Sequence, residues 1–229
     1  MKAVVFDIWG DLALFRRFDT NTSMLTHSFP PPTAVLGMVG AILGLDRDIY
    51  IQQLQGTRIG IELLHPVKKV RMALNYKNTK GRELTGKKGR TQIPAEFIKD
   101  PAYRIYIVND TVQQDLATML KEHKSVFTLS LGLSELLANF QYVGTYPCEF
   151  SSGRQLVSSV VPTSVVESID FFAQEGKQKR MVKERVPVSM ASDRTVTRYE
   201  DVVVEENGEM ISGVFKEVFV VGEKAVVFF

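Results

Sequence analysis

Apolar and polar positions alternate at the start of the chain: Val4, Phe6 and Ile8 fall on one side of an extended segment, and Ala3, Val5, Asp7 and Trp9 on the other. Successive side chains of a strand point to opposite faces, so this pattern predicts a strand with partial burial on both. A loop containing Arg16 and Arg17 follows and ends in Ser28-Phe29-Pro30-Pro31-Pro32-Thr33. Thr33 is a suitable helix N-cap, because its hydroxyl can accept a bond from an otherwise unpaired backbone N–H. The helix it would open, Ala34–Gly44, contains Gly37, Gly40 and Gly44. Glycine inside a helix costs about 1 kcal/mol relative to alanine, so close approach to a sheet or to another backbone is the expected compensation. These glycines match no phosphate-binding fingerprint, and no P-loop Lys-Ser/Thr pair follows them.

Alternation returns over residues 57–64, with Ile59, Ile61 and Leu63 on one side. Val70, Met72 and Leu74 then oppose Arg71, Ala73 and Asn75, after which apolar content is lost through Lys77–Arg90. That pattern predicts a hairpin arm with a polar tip. Residues 103–108 read as a strand, Tyr103, Ile105 and Ile107 on one face and Arg104, Tyr106 and Val108 on the other. Asn109 or Asp110 can cap a second helix, in which Val112, Leu116, Met119 and Leu120 repeat at helical spacing. A short helix is expected to carry Leu133, Leu136, Leu137 and Phe140 on one stripe, and residues 141–150 read as extended.

The predicted fold class is therefore α+β. Residues 1–150 follow the β-α-β-β-α-β order of a ferredoxin-like (RRM-like) domain, with a basic β-hairpin inserted at about residues 65–99. Residues 151–229 are expected to form a smaller, β-rich C-terminal subdomain, with turns at Glu206–Glu209 and at Gly222–Glu223.

Charge changes this picture. The net charge of the 229-residue chain is only +2. Between His65 and Arg90, however, lie nine cations, Lys68, Lys69, Arg71, Lys77, Lys80, Arg82, Lys87, Lys88 and Arg90, against one acid, Glu83. That window is +8 and the rest of the chain −6, an asymmetry that points to a polyanionic partner. Cys148 is the single cysteine, so neither an intramolecular disulfide nor a cysteine-based zinc site can be built. His27, His65 and His123 are scattered, and no cofactor or metal is expected. Asp7 and Asp11 interrupt the N-terminal apolar stretch, which argues against a signal peptide. The longest apolar run, Ala34–Leu45, is too short to span a bilayer. The expectation is a cytoplasmic protein with no membrane partner and no small-molecule substrate.

Four segments together resemble a known family. They are Phe6-Asp7-Ile8-Trp9-Gly10; Phe29-Pro30-Pro31-Pro32-Thr33 leading into Gly37-Met38-Val39-Gly40-Ala41-Ile42-Leu43-Gly44; Tyr103-Arg104-Ile105-Tyr106; and Ser130-Leu131-Gly132-Leu133-Ser134-Glu135. The chain resembles the Cas-five family, a branch of the RAMP proteins of type I CRISPR systems, and is most similar to the branch of subtype I-B. The resemblance implies a ferredoxin-like domain with a projecting hairpin thumb, and binding to the 5′ handle of the CRISPR RNA at one end of the Cascade surveillance complex. It also implies contacts with the Cascade backbone subunit and large subunit.

RNA binding needs cations that neutralise phosphates and groups that hold splayed bases. The nine cations of the excursion are the expected phosphate ligands. Arg16, Arg17 and Thr33 lie where they would clamp the handle, and Arg104 and Tyr106 share a strand face, as a sheet-surface reader would require. Trp9 is expected in the core rather than as a stacking platform. The rival reading is catalytic, because the subtype I-C branch of the family cleaves precursor RNA without a metal. Such chemistry needs a base for the 2′-OH and an acid for the leaving oxygen. His123 with Lys124 and Tyr103 would be the candidates, Tyr50 being a further partner. Cations at a helix C-terminus are also what the helix dipole favours, with no catalysis implied. A protein–protein scaffold without RNA contact is the third reading.

Overall fold

Both faces of the first strand are covered, which is why its apolar positions do not stop at one side. The computed structural model describes residues 1–77, 90–171 and 179–229. In chain order the elements begin with β1 (Lys2–Trp9), β2 (Leu12–Ala13), α1 (Pro32–Leu43), α2 (Tyr50–Gln53) and β3 (Arg58–Leu63). Next come β4 (Lys69–Lys77), β5 (Arg90–Lys99), β6 (Ala102–Val108), α3 (Gln113–Lys121) and β7 (Asn139–Val157). The remainder is β8 (Val161–Pro162), β9 (Val166–Ile169), β10 (Met181–Met190), β11 (Val196–Glu205), β12 (Ile211–Val221) and β13 (Lys224–Val226). The protein is a mixed α+β structure, mostly sheet with few helices.

The main sheet runs β3-β6-β1-β7-β13-β12-β9, and β1 is antiparallel to both of its neighbours. On one face Val4, Phe6, Ile8, Ile61, Tyr103, Ile105 and Ile107 form a core with Val35, Val39 and Ile42 of α1 and Leu116 and Leu120 of α3. On the other, Ala3, Val5, Tyr106 and Val108 pack against Phe219, Val221 and Val226 of β12 and β13. Gly60 of β3 shows how close that second layer comes: a Cβ there would sit 2.6 Å from a Val226 methyl. The layer is delivered by β7. This strand pairs with β1 over residues 139–147 and with β12 over residues 148–157, running unbroken through position 150. Two smaller sheets, β2-β5-β4 and β10-β11-β8, complete the arrangement.

Two local expectations are corrected. Thr33 is not the N-cap of α1. The helix starts two residues earlier at Pro32, with Pro31 as its cap and no side-chain capping bond. Proline suits the first helical position because the N–H it lacks would have been unpaired there anyway. The short helix expected over residues 133–140 is absent: Leu137 bridges Ser130, and Phe140 already belongs to β7. Leu133 and Leu136 are instead drawn onto a cluster of Leu14, Ala95 and Phe97 at the base of the β4–β5 hairpin. Of the α1 glycines, Gly40 lies against the Tyr50 ring and Gly44 ends the helix in a left-handed conformation (φ 71°), while nothing lies within 4 Å of a Cβ at Gly37. The turns at 206–209 and 222–223 are present, with Gly208 and Gly222 at positive φ.

Candidate nucleic-acid interface

The basic excursion is built on the β4–β5 hairpin, paired from Lys69↔Ile98 to Lys77↔Arg90. Val70 and Leu74 hold it down on the cluster of Leu14, Ala95 and Phe97, while Met72, on the same face, is 42% exposed. Its cations are not equivalent. The Lys69 ammonium and the Arg71 guanidinium both lie near the buried Glu96 carboxylate, at 3.8 Å and 3.4 Å, although the Arg71 side chain remains 80% exposed. Lys68, Lys77 and Arg90 are exposed and make no ion pair among the described residues. Lys80, Arg82, Lys87 and Lys88 lie outside the described residues.

The loop carrying Arg16 and Arg17 is seated beside this hairpin. Arg16 bridges Thr26, the Met24 amide donates to Pro94 O at 2.9 Å, and the Glu96 amide donates to Met24 O at 2.8 Å. Arg16 is exposed, and among the described residues its side chain reaches only the Thr20 carbonyl. Arg17 is held in a two-pronged bond to Asp19, at 3.1 Å and 2.8 Å, which keeps the Asp19 carboxyl below its usual range. Thr33 stands away from the arm's strands. It lines a cleft of about 450 Å³ together with Gln52, Gln55, Ser192 and Arg198.

Arg104 and Tyr106 share a strand face, but that face is not open. The Arg104 guanidinium spans both oxygens of Asp7, at 2.7 Å and 3.0 Å. Tyr106 is buried under β12 and β13, and its hydroxyl donates to Glu62 at 2.6 Å. Burial, reinforced by the Glu62 charge, pushes the Tyr106 phenol well above its ordinary range. A ring in that position cannot stack on a base. The expectation failed because a charged residue two positions from a tyrosine looks like a solvent face, whereas here the charge is neutralised by Asp7 and the ring lies in the core.

The catalytic candidates are not drawn into one site. His123 is exposed, with its ring stacked on Phe140 at 4.7 Å. The Lys124 ammonium is paired with Glu122 at 2.7 Å. Tyr103 is buried, its hydroxyl donates to the Ser28 carbonyl, and burial raises its phenol far out of the physiological range. Tyr50 packs beside Gly40, where burial also raises its phenol. Among the described residues no group of three His, Cys, Asp or Glu side chains is placed to hold a metal, and no helix is long and apolar enough to cross a membrane.

One constellation escaped the sequence reading. Phe18 is 53% exposed at the tip of the 16–26 loop, and its ring lies 4.5 Å from that of Tyr199 on β11. The Arg185 guanidinium of β10 lies 5.8 Å from the Tyr199 ring centroid. The alternation of Lys183 and Arg185 with the buried Glu184 and Val186 was a legible sign of a cationic strand face. Nothing local signalled that Phe18 would meet it.

Comparison with known proteins follows this geometry. Residues 3–200 match the family model described as CRISPR-associated protein (Cas_Cas5). No curated protein matches the chain. Among solved structures, the chain is similar to a CRISPR protein from Archaeoglobus fulgidus, at 14% identity and a TM-score of 0.59, over 99% of this chain and 98% of that one. A chain of a CRISPR RNA-guided surveillance complex is similar at 12% identity and a TM-score of 0.60, over 93% of this chain and 91% of that one. A chain of a type III-B Cmr-beta complex bound to cognate target RNA is similar at 12% identity and a TM-score of 0.52, over 91% and 86%. At these identities the likeness is one of fold.

Proposed function

The chain belongs to the CRISPR-associated Cas5 family, and on that premise we propose that it is a non-catalytic RNA-binding subunit of a type I CRISPR surveillance complex. In this reading it holds the 5′ handle of the CRISPR RNA and caps one end of the complex, against the backbone subunit and the large subunit. The order β3-β6-β1-β7, with α1 between β1 and β3 and α3 between β6 and β7, supports reading the first half as a ferredoxin-like (RRM-like) unit. The β4–β5 hairpin is then its thumb, inserted between the second and third strands of that unit.

The observation that carries the proposal is the state of the thumb's cations. Lys68, Lys77 and Arg90 are exposed on a hairpin whose apolar side is anchored, and no described carboxylate neutralises them. Lys77 and Arg90 face each other across the hairpin, and such like-charge juxtaposition costs repulsion that a bound polyphosphate backbone relieves, with release of counterions. The absence of catalysis is supported by the dispersal of the acid–base candidates: the Tyr103 hydroxyl is buried on Ser28 and the Lys124 ammonium is occupied by Glu122.

The test is a filter-binding titration of a CRISPR repeat RNA, on the chain alone and in its assembled complex, at low and moderate salt. Steep loss of affinity with salt is expected. Affinity absent at both salts, in both preparations, would leave only the scaffold reading.

A further inference from the structure

We propose that Phe18 and Tyr199, with Arg185 beside them, form a stacking step for one unpaired base of single-stranded RNA at the foot of the thumb. The proposal rests on the RNA-binding reading and extends it to the C-terminal strands, for which no RNA contact was expected by position.

The Phe18 ring is half exposed although it lies against the Tyr199 ring at an interplanar angle of 47°, so much of its surface is left to solvent. Its loop is not free to fold it away. The Arg17 amide donates to Leu25 O at 2.9 Å, the Thr20 hydroxyl donates to Arg17 O at 3.1 Å, and the Arg17–Asp19 fork clamps the tip. An exposed aromatic ring held by its own loop is a preformed surface, and preformed surfaces lose little entropy on binding. A base can extend the Phe18–Tyr199 pair because every base presents a π-face, which makes such a step tolerant of sequence.

The charges around the rings favour a nucleotide. Asp19 is neutralised by Arg17, and Asp201 by Lys183 at 2.8 Å. Arg16 and Arg185 have no carboxylate within salt-bridge distance among the described residues, and Arg185 already lies at cation–π distance from Tyr199. One guanidinium at the Tyr199 ring, and a second two residues before Phe18 in the same loop, match a base and its phosphates. The loop is hydrogen-bonded to β5 through Met24, so the step adjoins the thumb's base and an RNA strand leaving the arm would reach it next.

The experiment compares wild type with Phe18→Ala, Tyr199→Ala and Phe18→Trp in the assembled complex. The probe is a repeat RNA carrying 2-aminopurine at successive single-stranded positions. Expected is one position whose fluorescence is quenched on binding by wild type and by Phe18→Trp, and not by Phe18→Ala. Affinity should fall about 5- to 150-fold in the alanine variants, the scale of one lost base stack, with the salt slope unchanged because no phosphate contact is removed. An unchanged urea midpoint for Phe18→Ala, whose ring is half exposed, secures the fold. If thumb-dependent RNA binding persists with no position sensitive to Phe18, the stacking step is wrong while the RNA reading stands. If RNA affinity is unchanged and assembly of the complex weakens instead, the patch is a protein contact and the proposal is overturned. If wild type binds no RNA at all, both readings fall together.

Discussion

His27 Nδ1 lies 2.9 Å from a Glu184 carboxylate oxygen, with both side chains almost wholly buried and 157 residues apart in sequence. The contact ties the Pro-rich loop before α1 to the middle of β10. Ser28 reinforces it, since both its amide and its hydroxyl reach Glu184 and the hydroxyl also lies 2.8 Å from Glu206. Glu206 is in turn paired with Arg180 at 2.7 Å. The first half and the C-terminal strands are thus locked through a buried polar cluster as well as through β7.

Removing the Glu184 carboxylate leaves His27 Nδ1 and the Ser28 amide and hydroxyl buried without this acceptor. Glu184→Ala is therefore expected to destabilise the protein by about 1.5–3 kcal/mol, the scale of a lost hydrogen bond to a charged group, read as a fall in the urea midpoint. Glu184→Gln keeps an acceptor for Ser28 and should cost less. Equal midpoints for wild type and Glu184→Ala would show that the cluster contributes nothing.

The same carboxylate gives a pH signature. Burial pushes Glu184 up, but the bonds from His27 and Ser28 outweigh it and its pKa lies below the ordinary value. A depressed folded-state pKa contributes stability that is fully present above the unfolded glutamate value of about 4.3 and is lost as pH falls through the folded value. The stability gap between wild type and Glu184→Gln should accordingly narrow on acidification below about pH 4. Denaturant midpoints measured from pH 7 down to pH 3 check this, and a gap that widened would reverse the sign.

Tyr106→Phe separates structure from recognition. It deletes a bond of 2.6 Å to the buried Glu62, leaving that carboxylate to Lys224 at 3.1 Å. A lost hydrogen bond to a charged group costs about 1.5–3 kcal/mol, so the thermal midpoint should drop. RNA affinity should not change. A large affinity loss at unchanged stability would return Tyr106 to the interface.

On the β4–β5 hairpin, alanine at Lys68, Lys77 and Arg90 is expected to weaken RNA binding without altering the circular dichroism spectrum. Each phosphate contact removed from a single strand should make the slope of log K against log salt shallower by about 0.7. A uniform loss of affinity with the slope intact would mean that these cations do not touch phosphate.

His123→Ala tests catalysis directly. Incubated with a repeat RNA hairpin, wild type and variant should behave alike, because the His123 ring stacks on Phe140 and is offered no acid partner by Tyr103. Specific cleavage by wild type that is lost in the variant, with binding retained, would establish an endoribonuclease.

What the sequence determined by itself was local and periodic. Period-two alternation at Val4, Phe6 and Ile8, and again at Tyr103, Ile105 and Ile107, marked strands because a strand's faces are written every second residue. The run from Val70 to Leu74 against nine cations marked an anchored, basic arm, because charge density needs no partner to be visible. The four family-like segments were equally legible, and residues 3–200 do match the family. The tertiary structure decided the rest through contacts distant in sequence. Tyr106 lost its open face because β12 and β13, a hundred residues later, cover it, and Arg104 beside it is taken by Asp7. Leu133 and Leu136, spaced for a helix, were taken by the base of the β4–β5 hairpin. Phe18 met Tyr199, and His27 met Glu184, only because the chain's two halves fold onto each other. Such pairings leave no periodic trace in a single sequence, since neither partner's neighbours need change to make them.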